Sequence, residues 1–121
     1  MNATVRMLVG GSRNWSDVER VRWAMARVVR MFGVTEVWSG GARGADCLGE
    51  QVARELGLVV VVRPADWAGE GRAAGVRRTE RMLREMEGDV CLVFWDGESR
   101  GTGFTIECAG RLGFRLVLVL A

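Results

Sequence analysis

The residues best suited to chemistry gather in four glycine-bearing clusters. They are Gly10-Gly11-Ser12-Arg13-Asn14-Trp15, Ser39-Gly40-Gly41-Ala42-Arg43-Gly44-Ala45-Asp46, Pro64-Ala65-Asp66-Trp67-Ala68-Gly69-Glu70-Gly71 and Asp96-Gly97-Glu98-Ser99-Arg100-Gly101-Thr102. Glycine turns that lead into helix starts expose backbone N–H groups beside the positive end of the helix dipole, an arrangement that suits a phosphate. Gly40 to Gly44 and Gly101-Thr102 are turns of this kind, and Arg13 and Arg43 add planar donors that can grip a pair of phosphate oxygens. Asp66-Trp67 sets a carboxylate beside an aromatic face on which a base can stack. Trp15 and Trp95 pose the same question at neighbouring loops, whereas Trp23 and Trp38 read as packing residues. Asp46, at a helix start, either caps that helix or hydrogen-bonds a ribose hydroxyl or a neighbouring loop.

On the arginine-rich segment, Arg72, Arg77, Arg81 and Arg84 read as a solvated face. Arg78 stands apart, near the helix start and one turn from Gly75, where it can face the glycine loops. A carboxylate opposite an arginine is what cleavage of an N-glycosidic bond requires. Asp96, Glu98 and Glu107 are the acids near the fourth cluster.

What is missing narrows the chemistry further. The 121 residues contain no His, no Lys and no Tyr, which removes Ser-His-Asp and Cys-His engines, imidazole metal sites, Schiff-base lysines and the lysine of a Walker phosphate loop. No G-x-G-x-x-G follows the first apolar run, so a nicotinamide or flavin dinucleotide is not indicated and no cofactor is expected. Cys47, Cys91 and Cys108 are odd in number and include no C-x-x-C, which argues against a disulfide framework or a zinc site and for a reducing, cytoplasmic setting. Cys91 and Cys108 read as small buried hydrophobes; Cys47 sits beside a glycine loop, where a helix start can lower a thiol's pKa. A net charge of +2 is small for a nucleic-acid binder. Apolar runs such as Leu58 to Val62 and Leu116 to Leu120 fall far short of the roughly 20 residues that cross a bilayer, and no secretory leader is read ahead of the first strand, so a soluble protein is expected.

The elements that must position these residues follow from periodicity. Val5 to Val9, Val37-Trp38 with its flanks, Leu58 to Val62, Val90 to Trp95 and Arg115 to Leu120 are short apolar runs bounded by Gly, Asp or Pro, as expected of parallel strands covered on both faces. Between them, Val18, Val21, Met25, Val28, Val29 and Phe32 recur at helical steps, with a Ser16/Glu19 capping box at the start and Gly33 as the stop. Leu48, Val52 and Leu56 mark a second helix ended by Gly57. A third runs from about Ala73 to Met86, with Thr79, Met82, Leu83 and Met86 inward and Gly88 as its stop. A fourth runs from about Thr102 to Leu112 and closes at Gly113. Strict alternation over residues 1–121 calls for one α/β domain: an open parallel sheet of about five strands in three layers, helices on both faces. Such sheets bind ligands beyond the carboxyl ends of their strands, and there the four clusters fall.

Taken together, Gly10-Gly11-Ser12-Arg13, Ser39 to Asp46, Pro64 to Trp67, Ala74-Gly75 with Arg78 and Met82, and Phe94 to Gly97 through Arg100-Gly101-Thr102 resemble the YspA-like, cpYpsA-related stand-alone branch of the SLOG superfamily. That superfamily also includes the LOG phosphoribohydrolases and the core of the DNA-processing protein DprA. The resemblance implies a Rossmann-like fold with a nucleotide or nucleotide-derived ligand at the strand ends. Its ligand residues would be Gly10, Gly11, Ser12, Arg13, Gly40, Gly41, Ala42, Arg43, Gly44, Asp46, Asp66, Trp67, Gly101 and Thr102. Sensing or sequestration of the ligand is the first expectation. LOG-like hydrolysis of a nucleoside 5'-monophosphate is the alternative, with Arg78 on the phosphate and Glu107 or Glu98 as acid partner. The LOG glutamate falls two or three residues past the turn threonine, where this chain has Phe104 and Thr105. Single-stranded DNA binding is a third reading, and the resemblance further implies a homodimer or higher homo-oligomer.

Overall fold

The computed structural model describes residues 3–87 and 89–121. Strands β1 (Arg6–Gly11), β2 (Glu36–Ser39), β3 (Val59–Val62), β4 (Val90–Trp95) and β5 (Arg115–Leu120) form one parallel sheet in the order β3-β2-β1-β4-β5. Helices α1 (Val18–Phe32), α2 (Ala45–Glu55), α4 (Ala74–Met86) and α5 (Arg100–Arg111) make the crossovers. A four-residue helix, α3 (Trp67–Glu70), and a 3-10 turn (Gly71–Ala73) precede α4.

Side chains of a strand alternate between faces, so each strand of this sheet feeds two cores. Met7, Val9, Val37, Leu92 and Phe94 pack with Val21, Met25 and Val28 of α1 and Val52 and Ala53 of α2. On the opposite face Leu8, Trp38, Cys91 and Val93 pack with Met82, Leu83 and Met86 of α4 and Cys108 and Ala109 of α5. Full burial of a side chain of this size is worth about 1.5–3 kcal/mol. The chain walks from β1 to β2 to β3 with helices on one face, then crosses back past β1 to β4 and β5 with helices on the other. Right-handed crossovers require that change of face when the direction of travel reverses. The reversal falls between β1 and β4 and leaves a crevice above their carboxyl ends.

Several local expectations are corrected. β1 continues through Gly10 and Gly11, which pair with Val93 and Phe94, so those glycines are strand rather than loop. Asp17, not Ser16, caps α1, its carboxylate accepting from Arg20 N–H at 3.1 Å. Gly33 ends that helix in the left-handed conformation. Helix α4 ends at Glu87, also left-handed; Gly88, the expected stop, lies outside the described residues. Helix α5 starts at Arg100 under a Ser99 cap, two residues before the expected Thr102. Trp23 is not a packing residue: it is 59% exposed, its ring covered by the Arg27 guanidinium at 4.4 Å.

Candidate functional site

A cleft of about 280 Å³ opens at the carboxyl ends of β1, β2 and β4, under the first turns of α4 and α5. Its lining comes from Gly10 and Gly11 at the end of β1, Gly40, Ala42 and Asp46 after β2, Arg78, Thr79 and Met82 of α4, and Ser99, Gly101, Thr102 and Thr105 at the start of α5. Arg13, Trp67 and Arg72 stand at the rim.

The β2 loop is fixed from within. Ser39 Oγ, on a fully buried side chain, donates to Glu50 Oε2 at 2.6 Å and accepts from Gly41 N–H at 3.1 Å. Asp46 Oδ2 accepts from Ala42 N–H at 3.2 Å. Asp46 therefore bonds the neighbouring loop and does not cap α2, whose N-cap is Gly44. At Gly44 the backbone has φ 77°, and a Cβ there would overlap the carbonyl oxygens of Ser12 and Arg13. Glycine is what lets the β1 and β2 loops touch, and Ala45 N–H reaches Ser12 O at 3.2 Å across that contact.

Arg78 reaches the same loop from α4. Its Nη1 donates to Gly40 O at 2.5 Å and to Arg63 O at 3.4 Å. A Cβ on Gly40 would occupy the space of that guanidinium. Burial lowers the Arg78 pKa, Asp46 opposes that shift and Arg13 adds to it, so three charges face one small space. Asp46 is 6% exposed, and burial pushes its carboxyl up to about 6 against the hydrogen bond from Ala42 and the attraction of Arg78. At the far end Ser99 Oγ accepts from Thr102 N–H at 3.4 Å and from the Thr102 hydroxyl at 3.0 Å. Gly101 lies in the first turn of α5, where backbone N–H groups have no intrahelical acceptor and the dipole favours an anion.

The cleft thus gathers Gly10, Gly11, Arg13, Gly40, Ala42, Asp46, Trp67, Arg78, Gly101 and Thr102. Other expected site residues stand elsewhere. Ser12 is fully buried beneath the cleft, where its Oγ accepts from Asp96 N–H at 3.0 Å. Gly41 and Gly44 shape the loop as described. Arg43 borders a second, shallower cleft of about 270 Å³ with Arg13, Ala42 and Trp67. Asp66 caps α3 by accepting from Gly69 N–H at 2.9 Å. Glu107 is exposed on α5 and does not line the cleft, because five residues past Thr102 the helix has turned it toward solvent.

The tryptophans divide. Trp15 is buried against Phe94, its ring N–H bonded to Asp17 O, and Trp95 is held by a ring N–H bond to Ser99 O at 3.1 Å. Trp67, 50% exposed with Arg13 stacked at 5.5 Å, is the one of the three with an open ring face. Asp96 accepts from Glu98 and Ser99 N–H groups, bonds that hold its carboxyl below the usual range, so it shapes the fourth loop. The Cys47 thiol is pushed up, not down, by burial and by Glu50 and Asp46 nearby.

Ser99, Thr105 and Val76 line the cleft without having been singled out, and Arg72, read from the sequence as part of a solvated face, borders it as well. The Thr102/Thr105 pair, one turn apart on α5, is the signal that would have found Thr105.

An open parallel sheet with an arginine- and glycine-walled crevice at its switch point defines a class of ligand-binding α/β proteins. Residues 5–69, more than half of the chain, match the model of the YAcAr family, described as the YspA, cpYpsA-related SLOG family. The chain belongs to that family. It is also similar to the "Gene 61 protein" of Mycobacterium phage D29, at 37% identity over 119 residues, covering 93% of this chain and 94% of the phage protein. No solved structure matches it. Among the described residues no helix is long and apolar enough to cross a membrane.

Proposed function

We propose that this protein binds a nucleotide-derived ligand in the cleft, as a sensor or a sequestering module. A phosphate seats between the Gly40–Ala42 loop and the first turn of α5, with Arg78 against that loop and Arg13 over the entrance. A base lies against the open face of Trp67. The observation that carries this reading is the meeting of all four strand-end segments around one 280 Å³ space bordered by Arg13, Arg72 and Arg78. Anionic ligands are held in such places by backbone N–H groups and bidentate guanidinium contacts. Family membership points the same way.

The acid that lines the cleft is Asp46, tied to Ala42, while Glu107 faces solvent. This arrangement favours retention of a ligand over cleavage of its glycosidic bond. A thermal-shift screen against nucleoside monophosphates, with inorganic phosphate as control, tests the reading. A ligand at a hundred times its Kd adds about 2.7 kcal/mol of stability, a clear rise in Tm. The expected result is a rise with a nucleotide that disappears in Arg13→Ala, a residue whose side chain carries little of the fold. No rise with any nucleotide, or one that Arg13→Ala leaves intact, overturns the proposal. Chromatography of the same mixtures reads free base, and base release lost in Arg78→Ala would assign the cleft to a hydrolase instead.

A further inference from the structure

The two edges of the sheet are finished differently. β3 is four residues long and runs at once into Arg63 and Pro64, features that block pairing with another strand. β5 is six residues long, and after Arg115 it continues Leu-Val-Leu-Val-Leu with neither charge nor proline. Within β5, Arg115 N–H donates to Asp89 O at 3.0 Å, and beyond its end Ala121 N–H donates to Trp95 O at 3.1 Å. The odd-numbered residues therefore turn their backbone groups toward β4, and the N–H and C=O of Leu116, Leu118 and Leu120 point out of the edge. The side chains of these same three residues share one face, that of α5, where Leu116 is partly covered and Leu118 and Leu120 are 43% and 55% exposed. Among the described residues, outward-pointing backbone and uncovered apolar surface thus coincide at Leu118 and Leu120.

We propose that the β5 edge pairs antiparallel with β5 of a second copy, about a two-fold axis at Leu118. In this register Leu118 faces its own counterpart and Leu116 faces Leu120 of the second copy. Every outward residue then exchanges both backbone hydrogen bonds, which no other register achieves. Arg115 falls opposite position 121, so like charges do not meet, and the exposed leucines cover one another across the junction. The interface is self-complementary, as a two-fold dimer demands. It yields a continuous sheet of twice the five strands, with the two clefts opening at opposite ends. This inference stands apart from the ligand reading.

Sedimentation equilibrium of the full chain tests it. The expected result is a dimer that Leu118→Arg converts to monomer, by setting two cations face to face, with the circular dichroism spectrum retained. A Leu118→Cys variant in a Cys47→Ser background adds a positional test, since Cys91 and Cys108 are buried. The Cα atoms of a hydrogen-bonded antiparallel pair lie about 5.5 Å apart, within disulfide reach, so mild oxidation should give a covalent dimer. A monomeric wild type overturns the proposal. So does a dimer that survives Leu118→Arg and is not cross-linked by the cysteine variant.

Discussion

At the amino ends of the strands the chain turns back through Gly33, Gly57 and Gly113, where a Cβ would meet nothing within 4 Å. At the carboxyl ends a Cβ on Gly40 would collide with the Arg78 guanidinium, and one on Gly44 with two carbonyl oxygens. The first set ends helices cheaply. The second lets backbone and arginine approach so closely that three segments share one small space, and there a carboxylate is held with its pKa at about 6. Simple connection and close approach use the same residue type, and what the missing side chain would touch tells them apart.

Substitutions sharpen that contrast. The largest effect is expected at Gly44→Ala, which combines φ 77° with overlap against fixed backbone. It should cost about 3 kcal/mol, read as a lowered urea midpoint, and abolish ligand-induced stabilisation. Next comes Asp46. Its folded pKa of about 6 lies above the ordinary aspartate value of 3.8, so the folded state holds the proton more tightly. Stability is then greatest below about pH 4 as far as this group is concerned, falls as pH rises toward 6, and levels off above it. Asp46→Asn keeps an acceptor for Ala42 N–H without the buried charge. It should raise stability at pH 7 by about 1–2 kcal/mol and flatten the unfolding free energy measured from pH 4 to 7. Smallest is Gly33→Ala, with φ 67° but open space around it: about 1 kcal/mol of stability, with ligand binding unchanged. Equal losses at Gly33 and Gly44 would break the distinction between the two rims.

Much of this was legible in the chain. The 3.6-residue period of Val21, Met25 and Val28 and the inward set Thr79, Met82, Leu83 and Met86 report burial directly, and these residues are buried. The loops after strands were legible because glycine and arginine gather there. α3 was hidden, since four residues from Trp67 to Glu70 are too few to display a period. Ser16 and Asp17 are both able caps, and backbone geometry chooses between them. Trp23 misled because its hydrophobic ring is covered by the neighbouring Arg27 rather than by the core. Glu107 was chosen by proximity in sequence to Thr102, and the helix turn carries it away from the cleft.

The placement of Asp46 has a thermodynamic consequence. Bringing a phosphate dianion beside a carboxylate that already titrates near 6 drives that carboxylate further toward its neutral form. On the proposed function, ligand uptake near neutrality is expected to be accompanied by uptake of a fraction of a proton from the medium. The heat measured by calorimetry will accordingly differ between phosphate-free buffers of high and low ionisation enthalpy, even at identical affinity.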